Sequence, residues 1–241
     1  MSKPDRREIL SRVAAGTITP EEAASELDSL RDEEPEDSGI RRVRIDKQLG
    51  PLEVVGDPGV KDAVADGPHQ ARIDGDTMVI EGEGFDHPGS FIFGFNHNDP
   101  HGRLLVRVNP SLALDLQVQA GNCRVRGVKG PIHANVQAGS ATIEGFAKPF
   151  DFTVQAGSVK ASGCCDEGES RIACDAGSVN LHLERGSSVR VKARAHLGKI
   201  ALPGDTAVAG SRASQDVTIG GGVGTLVIDS NLGSVKVTAD Q

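Results

Sequence analysis

Val118-Gln119-Ala120-Gly121, Val136-Gln137-Ala138-Gly139 and Val154-Gln155-Ala156-Gly157 are one tetrapeptide written three times at a spacing of 18 residues. Degenerate copies follow: Cys174-Asp175-Ala176-Gly177 after 20 residues and Ala195-His196-Leu197-Gly198 after 21 more. A fixed period of this length signals a repeat architecture, because one such unit cannot bury a face alone and must stack on its neighbours. Each glycine opens a short alternating run, as in Gly121-Asn122-Cys123-Arg124-Val125, Gly139-Ser140-Ala141-Thr142-Ile143 and Gly157-Ser158-Val159-Lys160-Ala161. Gly177 to Leu181, Gly198 to Leu202 and Gly233 to Val237 repeat the pattern. Alternation with period two belongs to a strand with one buried face. A second glycine stands six residues after the first at Gly127, Gly145 and Gly163, so the repeat reads as strand, corner, strand, corner. Eighteen residues without a helical pattern are too few for a βαβ unit. The expected fold is therefore mainly β, a single-stranded β-solenoid with about 18–21 residues per coil. An aromatic content of 3%, with no Trp or Tyr, fits an interior too narrow for rings.

Working outward, Ile40 to Pro110 is less regular yet strand-rich, with Val43-Arg44-Ile45, Leu52-Glu53-Val54-Val55, Ala71-Arg72-Ile73, Met78-Val79-Ile80 and Leu104 to Val108 separated by turn dipeptides such as Gly50-Pro51 and Asp74-Gly75. These are read as the opening rungs, with Phe91, Phe93 and Phe95 facing a cap or a docked element. Before them, Ile9, Leu10 and Val13, then Ala23, Leu27 and Leu30, fall at helical spacing. Gly16 stops the first helix, and Thr19-Pro20-Glu21-Glu22 starts the second as a capping box with proline at the first helical position. Residues 31–39 are acidic, free of apolar side chains and interrupted by Pro35, the signature of a solvated linker. The expected organisation is a two-helix hairpin over 1–30, a linker over 31–39 and a β-solenoid over 40–241.

Composition narrows the function. The net charge of −8 repels phosphate backbones, and the shortage of aromatic rings removes stacking platforms, so no nucleic-acid partner is expected. No apolar run approaches the length of a membrane span and no secretory h-region stands at the N-terminus, which predicts a cytoplasmic protein without an integral membrane segment. Cys123, Cys164, Cys165 and Cys174 fit reduced thiols, with Cys174 at an inward position filled by Val in earlier copies. The Gly220-Gly221-Gly222-Val223-Gly224 run lacks the Lys and helix of a phosphate loop and reads as a corner. His97 and His101 flank Asn98-Asp99-Pro100, which precludes the helix that would place both on one metal. No G-x-S-x-G elbow appears. No catalytic, cofactor-binding or metal-ligating residues are therefore expected, and no cofactor. Interaction candidates are the apolar stripe of the hairpin, Ile9, Leu10, Val13, Leu27 and Leu30, and a stacked ladder of Gln119, Gln137 and Gln155. Arg124, Thr142, Lys160 and Asn180 should stack into another ladder.

Two resemblances rest on these residues. Arg7 to Leu30, with Gly16-Thr17-Ile18-Thr19-Pro20-Glu21-Glu22-Ala23 at its centre, resembles the SHOCT-like helical hairpin of bacterial proteins. Residues 40 to 239, with the Val-Gln-Ala-Gly repeat and Arg103-Leu104-Leu105-Val106-Arg107-Val108, resemble the bacterial putative-adhesin β-solenoid, a domain of unknown function. The resemblance implies a non-enzymatic binding or scaffold role, linked to cell-envelope stress, exercised through self-association or docking to a partner protein that is itself envelope-associated. A carbohydrate-binding or carbohydrate-active solenoid, with a glycan as partner, is the alternative.

Overall fold

The computed structural model describes residues 39–82, 102–204 and 207–240, together with Ala15 and Thr19. The expected hairpin with Ile9, Leu10, Val13, Leu27 and Leu30, most of the linker, Phe91, Phe93, Phe95, His97 and His101 lie outside the described residues. The chain divides into two units, Met1–Gly39 and Ile40–Gln241.

The second unit is mainly β. Its strands are β1 (Arg42–Leu49), β2 (Leu52–Gly56), β3 (Ala63–Asp66), β4 (His69–Asp74), β5 (Thr77–Gly82), β6 (Leu104–Val108), β7 (Ala113–Arg126), β8 (Ile132–Phe146), β9 (Phe150–Gly163), β10 (Glu169–Leu183), β11 (Val189–Ala201), β12 (Val208–Ile219) and β13 (Gly224–Ala239). All belong to one mixed 13-stranded sheet, with the order β12-β11-β13-β10-β9-β8-β7-β1-β5-β4. β2 and β6 continue the sheet from the second half of β7, and β3 pairs with β6.

The repeat determines the register. Val118 pairs with Val136 and Val136 with Val154, Gly121 with Gly139 and Gly139 with Gly157, all in parallel. Only residues 127–131 carry the chain from the end of β7 to the start of β8, where Leu114 partners Ile132. Five extended residues reach roughly 17 Å, far less than a straight 14-residue strand would require for its return. Each long strand therefore folds back on itself, and the burial pattern locates the fold. In β8, Ile132, Ala134 and Val136 are buried, Gln137 to Ser140 are not, and Ala141, Ile143 and Phe146 are buried again, so the inward parity changes across the glycine. Pairing skips one residue there, from Val118↔Val136 to Ala120↔Ala138. The two arms thus turn their apolar faces to one core of Val, Ile, Leu, Ala and Cys side chains. Where short strands broken at every glycine are expected from the sequence, the ladder runs through the first glycine as a bend and ends near the second.

The glycines at the bend form a column in the same order as the strands. A Cβ on Gly139 would lie 1.9 Å from the carbonyl oxygen of Gly121, and one on Gly157 1.7 Å from that of Gly139. Gly139 and Gly157 have φ of 126° and 144°, a region that side-chain-bearing residues avoid. Both sterics and backbone conformation exclude a side chain from this column.

Two features depart from the sequence reading. Rings do enter the core: Phe146, Phe150 and Phe152 are buried, with centroids 4.6 Å apart for Phe146–Phe150 and 4.5 Å for Phe150–Phe152. Small neighbours make the room, since Phe152 pairs with Ala134 and Phe146 with Gly163, where a Cβ would stand 2.7 Å from the Phe146 ring. Strand order also departs from chain order, because β13 inserts between β10 and β11, and β12 returns antiparallel on β11. Gly220 and Gly222, at φ of 60° and 66°, form the turn from β12 to β13. β4 on β5 and β3 on β6 are likewise antiparallel, so both ends of the parallel stack terminate in antiparallel strands.

Gly139→Ala should lower stability by about 3 kcal/mol or more, whereas Gly75→Ala, at positive φ in open space, should cost about 1 kcal/mol; urea unfolding of the two variants checks the difference. Ser230 occupies an inward position between Cys174 and Ala195, buried and with its hydroxyl oxygen unpartnered. Ser230→Ala should raise stability by about 1 kcal/mol in the same measurement.

Candidate interaction surface

The bend determines what the molecule shows to solvent. The residue that pairing skips is pushed outward on each of the eight strands β1 and β7 to β13: Gln48, Gln119, Gln137, Gln155, Asp175, Asn231, His196 and Arg212, in the order of the sheet from β1 to β12. All eight are exposed. Asn231 donates through Nδ2 to Asp175 Oδ1 at 2.7 Å, a bond between adjacent members of the column. The sequence-derived ladder of Gln119, Gln137 and Gln155 is therefore the middle of a longer polar column. Gln48, Asp175, Asn231, His196 and Arg212 were hidden from sequence reading because the tetrapeptide around them is degenerate or absent. The signal that could have found them is the glycine two residues onward, present at Gly50, Gly177, Gly233 and Gly198.

Beside this column runs an apolar one. Leu49, Ala120, Ala138, Ala156, Ala176, Leu232 and Leu197 stand in direct register on successive strands. Leu49, Leu232 and Leu197 are 44%, 52% and 56% exposed, among the few large apolar side chains in contact with water. At about 4.8 Å per strand, the polar column of eight positions extends roughly 34 Å. An apolar line bordered by polar side chains, five of the eight being amides, is the composition of an interaction surface, with burial supplying affinity and polar groups supplying direction.

The second arm bears its own outward columns. Arg124, Thr142, Lys160 and Asn180 are in mutual register, as the sequence predicts, and Lys236 extends the series on β13. At the start of that arm Glu53 accepts hydrogen bonds from both Arg103 and Arg126. The Arg103 hydrogen bond is the largest cause holding the Glu53 carboxyl below the usual carboxylate range, with burial opposing and Arg126 assisting. On the first arm His133 stands 3.8 Å from Asp151 in a shallow dent also lined by Arg42, Asp115 and Glu169.

The thiols do not form a reactive group. Cys123, Cys165 and Cys174 are buried, and burial pushes the Cys123 thiol up to about 12. Burial likewise raises Cys165 and Cys174. Cys164 is half-buried and free. Among the described residues no group of three or more His, Cys, Asp or Glu side chains is placed to hold a metal ion, and no helix is long and apolar enough to cross a membrane.

No family model matches the chain, and no curated protein matches it. Among solved structures it is similar to a putative cell adhesion protein from Clostridium sporogenes, at 12% identity and a TM-score of 0.46, over 85% of this chain and 96% of that one.

In native protein Cys164 should react first with a thiol reagent and Cys123 last, read by mass spectrometry of partly labelled chain. Because the folded-state pKa of Cys123 lies above its unfolded value, its contribution is fully present below the ordinary thiol pKa and declines as pH rises towards about 12. The urea midpoint should fall on the alkaline side of the ordinary thiol pKa, and less steeply in Cys123→Ala.

Proposed function

We propose that the protein is a non-enzymatic binding or scaffold protein whose bend ridge associates with a second copy of the chain, or with a partner protein of the cell envelope. The single observation that carries this reading is the exposed line from Leu49 through the alanines to Leu232 and Leu197, flanked along its length by polar side chains, most of them amides. Apolar side chains in register on successive strands, with leucines at both ends and alanines between them, give one linear surface that a second copy can bury.

The architecture that presents the ridge is, in this reading, a β-solenoid of about 18–21 residues per coil. The 18-residue register and the returns of three to five residues between parallel neighbours support it. Residues 1–30 are read as the SHOCT-like hairpin, on the strength of the capping box and the stripe of Ile9, Leu10, Val13, Leu27 and Leu30, and act as a second docking element. Four free thiols support a reducing, cytoplasmic setting. The putative-adhesin resemblance supports a connection to envelope stress.

Light scattering after size exclusion, with refractive-index detection because Trp and Tyr are absent, tests the reading. The full chain should form species larger than a monomer as concentration rises, and Leu197→Asp/Leu232→Asp should reduce them to monomer. A wild-type chain that remains monomeric at every concentration overturns self-association. Assemblies that survive this double change but vanish in Leu10→Asp/Leu27→Asp would place the contact in the hairpin.

A further inference from the structure

The outward face of the second arm is a grid separate from the bend ridge. Its middle column, from β7 through β8, β9 and β10 to β13, reads Arg124, Thr142, Lys160, Asn180, Lys236. Cations and neutral hydrogen-bonding groups alternate along it. Adjacent strands lie about 4.8 Å apart, so the cations recur at about twice that distance. Among the described residues none of the three makes an ion pair; Glu53, which stands level with Arg124 on β2 at the head of the column, is engaged by Arg103 and Arg126. Beside the cations runs a column of small hydroxyl groups, Ser140, Ser158, Ser178 and Ser234, continued at Lys199 on β11. On the other side Glu144 stands level with Arg126 in the pairing register, followed by Ser162, His182 and Thr238. A groove of about 220 Å³ lies between these columns, lined by Lys160, Ser162, Asn180, His182, Lys236 and Thr238.

The segregation has meaning because the chain as a whole carries −8. A face that collects unpaired cations on an acidic protein focuses a positive potential and attracts anionic ligands to that face alone. The ligand must also be extended, because the cations lie along a line, and rich in hydroxyl groups, because hydroxyl and amide side chains recur on every strand. Nucleic acid fits poorly: the one aromatic ring on the grid, the His182 imidazole, is held by Thr238 and Asp240, and the three separated cations are few for a phosphate backbone. A pyranose ring of an extended chain advances by about one strand spacing per sugar, so a polymer with acid groups on alternate or successive sugars meets a cation at every second strand.

We propose that this face binds an extended acidic polysaccharide lying across the strands. Its acid groups sit on Arg124, Lys160 and Lys236, and its hydroxyl groups exchange hydrogen bonds with Thr142, Asn180 and the serine column. The site goes beyond the ridge association proposed above and does not depend on it.

Titration calorimetry of the full chain with polygalacturonate at low salt tests the inference, with uncharged dextran and a single-stranded DNA of equal charge as comparisons. Polygalacturonate should bind, with affinity declining as salt rises, dextran should give no heat, and the DNA should bind more weakly. Lys160→Gln/Lys236→Gln should weaken binding about tenfold or more, since two charge-assisted contacts are lost. Arg171→Gln/Lys192→Gln, on the other arm, should leave it unchanged, as should Leu197→Asp/Leu232→Asp on the ridge. Absence of polygalacturonate binding, equal binding by the Lys160/Lys236 variant, or tighter binding of the DNA would each overturn the proposal.

Discussion

The glycine column at the bend is the constraint on which the rest of this structure depends. At Gly121, Gly139, Gly157, Gly177, Gly233 and Gly198 the backbone of one strand approaches the glycine carbonyl of its neighbour so closely that a Cβ would overlap it, at 1.6 to 2.2 Å. The approach lets a continuous ladder turn a corner without breaking its pairing. Without that turn, connections of three to five residues could not return the chain to the start of a parallel neighbour. The in-register pairing, the common core of the two arms and the columns on the surface all follow from it.

Function is written on the outside of the same device. Because pairing skips one residue just before each glycine, the side chains at the corner stand clear of both arms. A repeat that places Gln and Ala there produces an amide column and an apolar column in one operation. The flat arms are different in kind. There the pleat alone determines exposure, and charge can be distributed column by column, as in the alternation of Arg124, Thr142, Lys160, Asn180 and Lys236. A single scaffold thus carries an apolar ridge at its bend and a separate column of alternating cations and neutral polar groups on its second arm. Antiparallel strands at both ends of the stack interrupt its propagation, which limits edge-to-edge growth of the parallel body.

Much of the β character was legible because period-two alternation and an 18-residue period are local and one-dimensional. The inward positions of Val118, Val136, Val154 and Cys174 could be read directly, and so could the stacking of Gln119, Gln137 and Gln155. The phenylalanines were misread, because whether a ring fits depends on the residue opposite, and Ala134 and Gly163 are distant in sequence from the rings they accommodate. β3 escaped notice since four residues of Ala-Val-Ala-Asp carry little pattern by themselves. The outer members of the corner column, such as Arg212 and Asn231, share only a position in the ladder with the glutamines.

The sequence by itself determined the period, the strand type and the inward set, since each is imposed by backbone sterics and by the alternation of side chains across a pleat. Only the tertiary structure decided that β13 lies between β10 and β11, and that Lys236 therefore falls beside Asn180 instead of at the far end of the stack. The reason is that strands bearing the same Gly-Ser-Val pattern are locally equivalent partners. Which of them become neighbours is settled by the return path available to β11 and β12, a property of the folded chain and not of any one segment.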